Sequence, residues 1–186
     1  APCTGATPRP GISCTGSVCR WPWPLTRNTT RTAASPAARW SSLEEARSQI
    51  AWGLSQCDVL KIADNELEFM TGQTDFAKGA AMLQQQYPNI RLLNVTAGAQ
   101  GSYAFCGSLQ AFEPGCTLGG VIETTGAGDT FCACVLHYLL GHSPDSLTRD
   151  DLHRMLHFAN TAAYLVTTRK GAIRSMPTPE QVQAIL

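Results

Sequence analysis

Along residues 42 to 186, apolar positions recur first at helical and then at strand spacing. Ser42-Leu43-Glu44-Glu45 has the form of a capping box, and Leu43, Ala46, Ile50 and Leu54 follow at helical intervals, which predicts a helix to about Gln56. Cys57-Asp58-Val59-Leu60-Lys61-Ile62 reads as a short strand, and Asp64 opens a second helix through Met70, closed by Gly72. Thr74 to Tyr87 gives a third helix stopped by Pro88, and Ile90 to Val95 a second strand ending in Thr96-Ala97-Gly98. Ser102-Tyr103-Ala104-Phe105 and Leu109-Gln110-Ala111-Phe112, separated by Cys106-Gly107-Ser108, suggest a hairpin at a sheet edge. Past a glycine-rich bend, a long apolar helix runs to Gly141. In the last large helix Leu152, Met155, Leu156, Ala159, Ala162, Ala163 and Val166 form one stripe, with Thr148 and Asp151 available as its cap, and Pro177 and Pro179 bracket a final short helix. Strands alternating with helices of this length predict an α/β fold with a mostly parallel sheet and helices on its faces.

Residues 1 to 40 break this pattern. Among the 186 residues the 14 basic side chains balance the 14 acidic ones, but the first 40 residues hold five Arg, no Lys and no acid. Residues 41 to 186 therefore carry nine basic against 14 acidic side chains, a net of −5. The same 40 residues contain six of the 11 Pro and three of the four Trp, with only Ile12, Val18 and Leu25 as aliphatics above Ala, too few to build a core. They read as a disordered or non-native leader, such as a shifted reading frame or a truncated gene would produce, followed by a folded region over 41–186. Trp21-Pro22-Trp23-Pro24 with nearby Arg could suit single-stranded nucleic acid or a proline-rich ligand role, but the composition favours disorder.

No apolar run approaches the ~20 residues of a membrane span, and no signal-peptide core is evident, so the expectation is a cytoplasmic protein without membrane or nucleic-acid partners. The eight Cys are scattered and read as reduced thiols, Cys132 and Cys134 pointing to different faces of a helix. Asn28 and Asn94 match the glycosylation pattern by chance, the second inside a probable buried strand. His153 and His157 stand four apart on the last large helix without an evident third ligand, so no metal pair is expected there.

The residues richest in chemistry are Thr124-Thr125-Gly126-Ala127-Gly128-Asp129. A Gly-Ala-Gly turn opening into a helix leaves backbone N–H groups and the positive end of the helix dipole facing outward, an anion site. A carboxylate beside bound phosphate repels it, so Asp129 makes chemical sense there as the acceptor of a proton from a hydroxyl attacking phosphorus. The same residues also suit an ordinary helix start.

Four segments in order carry a family resemblance: Asp64-Asn65-Glu66-Leu67-Glu68, Val95-Thr96-Ala97-Gly98-Ala99-Gln100-Gly101, Thr124 to Phe131, and Thr168-Arg169-Lys170-Gly171-Ala172. Together they resemble the PfkB (ribokinase-like) carbohydrate kinases, most like bacterial fructokinases, over about residues 40 to 186. The resemblance implies a three-layer α/β/α ribokinase-like fold without its N-terminal half and β lid. It also implies ATP-dependent phosphorylation of a sugar hydroxymethyl group, with a nucleotide and a small sugar as partners; members often homodimerise.

By the same resemblance, Asp129 is the catalytic base and the N–H groups of Gly126, Ala127 and Gly128 form the anion hole. Asn65 and Glu68, taken as an Asn-x-x-Glu element, lie near the Mg²⁺-bound phosphates. Thr96, Gly98, Ala99, Gln100 and Gly101 follow the nucleotide, with Asn160 by the adenine. Glu123, where the family usually carries Asp, would join Thr125, Val166, Arg169, Gly171 and Ser175 around a monovalent cation such as K⁺. Two functions follow: a sugar kinase whose nucleotide site, anion hole and base this chain supplies, or a catalytically inactive nucleotide-binding or interaction remnant of one.

Overall fold

Alternation along the strands sets up the layers. The computed structural model describes residues 18–19 and 42–186. Its order is β1 (Val18–Cys19), α1 (Leu43–Leu54), β2 (Val59–Ala63), α2 (Asp64–Thr71), α3 (Phe76–Gln86), β3 (Leu92–Thr96), β4 (Gly101–Cys106), β5 (Leu109–Pro114), α4 (Ala127–Leu139), α5 (Arg149–Thr167) and α6 (Pro179–Gln183). Leu60 and Ile62 of β2, Leu93 and Val95 of β3 and Phe105 of β4 pack with Ile50, Leu54, Leu67 and Leu83 from α1, α2 and α3. The intervening residues Val59, Leu92 and Ala104 face the opposite way, onto Phe131 and Val135 of α4 and Leu152, Met155, Leu156 and Ala159 of α5. Period-two side chains between two helical layers make the α/β/α sandwich.

The five strands lie in chain order. β1, β2 and β3 are parallel, with Val18 opposite Val59 and Val59 opposite Leu92, whereas β4 and β5 run antiparallel to their neighbours. Among the described strands the sheet is thus mixed rather than mostly parallel. The cause is local: a two-residue Gly107-Ser108 loop, with Gly107 at φ 56°, folds β5 straight back on β4 and forbids a crossover. Val18–Cys19 adds to the sheet from within the stretch read as a leader. The other leader expectations, including the Trp-Pro run and Asn28, lie outside the described residues.

The helix ends are built as their sequences predict. The Ser42 side chain accepts from Glu45 N–H (3.0 Å), Gly72 ends α2 at φ 70°, and Thr148 exchanges bonds with Asp151 at the start of α5. Asp151 also accepts from Arg154 and from the Tyr138 hydroxyl (2.9 Å), tying α5 to α4. Thr148, then Arg154 and Tyr138, hold its carboxyl well below the usual carboxylate range. Cys57, Cys106, Cys116, Cys132 and Cys134 are thiols outside any disulfide, and burial pushes the Cys134 pKa up to about 11. No helix among the described residues is long and apolar enough to cross a membrane.

Candidate functional site

The N-terminus of α4 is met by Lys61 from the parallel strand β2, and α/β sheets hold ligands near the carboxyl ends of such strands. Gly126 caps α4 at φ 87°, a conformation L side chains rarely adopt, and a Cβ there would stand 3.1 Å from both Cα and Cβ of Ala172. The turn thus needs glycine both for its dihedral and for its contact with the loop after α5. The first helical bond runs from Thr130 N–H to Gly126 O (2.9 Å), and Ala127 N–H returns to Thr124 O (3.3 Å). The helix itself supplies no acceptor for the N–H groups of its first turn, where Gly128 and Asp129 stand. Of the expected anion-hole donors, Ala127 is therefore already engaged.

Beside Gly128 stands a cation that the motif reading did not include. Lys61 Nζ lies 3.2 Å from where a Cβ on Gly128 would sit. The signal was in the sequence: one Lys inside the apolar run Val59-Leu60-Lys61-Ile62 has to reach a polar place.

The acids of α2 divide between surface and interior. Asn65 is half-buried and Glu68 exposed, whereas Glu66 is buried, and its carboxylate accepts from Ala63 N–H (2.8 Å) at the start of α2. Burial raises the Glu66 pKa, against the pull of that N–H bond and of the Lys61 charge. Helix geometry decides this. Glu66 and Glu68 are two apart and leave different faces, and only Glu66 turns back into the fold.

The nucleotide-type turn forms as a 3-10 turn over Gly98–Gln100 between β3 and β4. Thr96 is half-buried and Gly98, Ala99 and Gln100 are exposed. Gly101, at φ 122°, crosses β5 so closely that a Cβ would lie 2.1 Å from Glu113 O. Gly115 N–H closes the crossing on Gln100 O (3.2 Å). Asn160 holds the far side of this crossing. Its Nδ2 donates to Glu113 O (3.0 Å) and Pro114 O (3.1 Å), and its Oδ1 accepts from Ser102 Oγ (2.8 Å). Expected beside the adenine, Asn160 braces α5 against the β4–β5 wall with these three bonds. Also on this wall, His153 Nδ1 is 2.6 Å and His157 Nδ1 3.6 Å from the two oxygens of Glu113, the partner the sequence did not offer them. Among the described residues no three His, Cys, Asp or Glu form a metal-holding group.

The residues expected around a monovalent cation come from the 123–125 loop, the end of α5 and the 169–175 loop, and they are drawn together by mutual bonds. Glu123 accepts from Gly171 N–H (3.1 Å), Ser175 Oγ donates to Lys170 O (2.8 Å), and Val166 O accepts from Arg169 N–H (3.3 Å). The Thr125 hydroxyl and Gly171 N–H hold the Glu123 carboxyl below its usual range. Each of these groups is thus held in place by another part of the same two loops and the end of α5.

Against known proteins, the description "pfkB family carbohydrate kinase" matches residues 26–179, reaching into the first 40 residues. The chain is 36% identical over 143 residues to probable fructokinase-2 of Arabidopsis thaliana, covering 75% of this chain and 42% of that protein. It is likewise 36% identical over 150 residues to fructokinase-1 of Zea mays, covering 80% and 46%. A crystal structure of fructokinase from Vibrio cholerae O395 with fructose, ADP and calcium bound superposes with a TM-score of 0.67 at 28% identity, over 77% of this chain and 45% of that one. The chain thus spans less than half the length of each of these three proteins, and the shared fold is ribokinase-like.

Proposed function

The chain belongs to the pfkB family of carbohydrate kinases, and from that premise we propose that it supplies the nucleotide site, anion hole and catalytic base of a cytoplasmic, ATP-dependent sugar kinase acting on fructose. The observation that carries this reading is the first turn of α4, where Gly126 is held at positive φ, the Lys61 ammonium stands beside the bare Cα of Gly128, and Asp129 is the next residue. Helix N–H groups and an ammonium attract a phosphoryl group, and one carboxylate in that setting is suited to take a proton.

In this reading Asp129 removes the proton of the sugar hydroxymethyl group as its oxygen attacks the γ-phosphorus. The new P–O bond forms as the bond from the γ-phosphorus to the β,γ-bridging oxygen breaks, and ADP leaves with that electron pair. Gly128 N–H and Lys61 balance charge on the transferred group, and the exposed turn at Gly98 to Gln100, with Thr96 and Gly101 at its ends, follows the nucleotide. Mg²⁺ suits the oxygens on the open side of α2: Asn65 and Glu68 would hold it, largely through water, and it would offset charge on the phosphates. Fructose is the sugar in the names of the relatives and in the bound Vibrio cholerae structure. Asn160 serves this site by fixing the wall beside the turn.

A second reading is nucleotide binding without turnover. Calorimetric titration with MgATP and a phosphotransfer assay with fructose separate the two. The kinase reading expects ATP binding with turnover, and Asp129→Asn keeping the binding while turnover falls by roughly 10²–10⁴. Binding without turnover supports the second reading, and no ATP binding defeats both.

A further inference from the structure

Asn94 of β3 is wholly buried, yet neither its Nδ2 nor its Oδ1 has a hydrogen-bond partner. An amide left this way is costly, and its neighbours in sequence, Leu92, Leu93 and Val95, show what the strand would otherwise take there. Its place in the sheet is specific, because Asn94 is the register partner of Lys61 on the adjacent parallel strand β2. Val59 and Leu92, two residues earlier on each strand, pack into the α4–α5 core. Lys61 and Asn94 therefore leave the sheet on that same face, about 4.8 Å apart at the backbone. From there Lys61 reaches the first turn of α4 at Gly128. An unpartnered acceptor thus flanks the stem of the ammonium that stands over the anion turn.

Resting on the nucleotide reading above, we propose that Asn94 is a positioning residue for Lys61: its Oδ1 accepts one ammonium proton and fixes where that charge stands when phosphate binds at α4. The chemistry suits an amide. An ammonium has three donors to distribute, and a neutral oxygen directs one of them without cancelling the charge, as a second carboxylate beside Glu66 would. Buried Asn94 also keeps water from taking that place.

The test uses the full chain with Asn94→Leu, Lys61→Ala and the double variant. Asn94→Leu is expected to weaken MgATP binding roughly 3- to 10-fold, the loss of one hydrogen bond, with no further loss when Lys61 is already Ala. It should melt no lower than the parent chain. An unchanged affinity, or an equal loss in the Lys61→Ala background, overturns the proposal. Should Asn94→Leu fail to fold, Asn94→Val, which suits a strand, takes its place. With inorganic phosphate in place of nucleotide, the ¹⁵N resonance of the Lys61 ammonium is expected to move in Asn94→Leu, and a stationary resonance overturns the contact whether or not the chain binds MgATP. Failure of the parent chain to bind MgATP, with that resonance still moving, counts against the nucleotide reading alone.

Discussion

Two buried asparagines lie on the helix-covered side of one sheet and differ in every polar contact. Asn160 makes three hydrogen bonds and ties α5 to β4 and β5, whereas Asn94, one strand away, makes none. A satisfied amide stabilises and fixes a wall, while an unsatisfied one costs stability and persists where something else requires it. The β4–β5 wall is therefore built for rigidity, and in our proposal the floor under α4 is built for a ligand.

The sharpest way to break the wall is at the atom that Asn160 and Gly101 share, the Glu113 carbonyl. Gly101→Ala puts a Cβ 2.1 Å from that oxygen and strains a φ of 122°. We expect a loss of about 4 kcal/mol or more, read as a large drop in the melting temperature or failure to fold. Asn160→Leu should come next. It leaves the buried Ser102 hydroxyl without its partner and removes a donor from two carbonyls, costing about 3 kcal/mol, or roughly 6–12 °C in Tm. Asn94→Leu should go the other way, raising Tm by roughly 2–4 °C for about 1 kcal/mol gained, while weakening nucleotide binding. A drop in Tm would erase the contrast between the two amides. The smallest effect concerns Asp151. Its folded-state carboxyl is held below its ordinary value, so the stability it contributes is present above about pH 4 and is lost as the pH falls below that. Asp151→Asn should therefore melt below the parent chain at pH 7, with the gap closing in acid.

Much of this architecture could be read from local signals. Ser42, Gly72 and Thr148 end or begin helices because their own side chains or φ angles decide it, and β2 and β3 follow from short apolar runs between turns. The β4–β5 hairpin was legible too, from the short Gly107-Ser108 loop between two alternating runs, whereas the reversal of β4 against β3 at the short turn after Thr96 was not. The site was legible as a helix start with two glycines. It was not legible as a set of neighbours, because Lys61 is brought to Gly128 by the sheet and not by the chain. That Glu66 is buried needed the face of α2, and the bonds of Asn160 needed partners on two strands far away in sequence. Where a residue's role depends on its own backbone, one sequence is enough; where it depends on what the fold delivers to it, spacing alone misleads.

Because the strand order equals the chain order, the sheet has a fast end and a slow end. Cys106 meets Leu109 across two loop residues and Thr96 meets Ser102 across one short turn, whereas Leu92 must find Val59 past two helices and Val18 must find Val59 across a longer span still. Loop closure costs more entropy as the span grows, and local contacts form first. Assembly should therefore start at the hairpin and spread toward β1, so that the gap between β2 and β3, where Lys61 and Asn94 stand, closes late and opens early. In hydrogen exchange, amides of β4 should outlast those of β2, and a nucleotide bound at α4 should slow exchange most in β2.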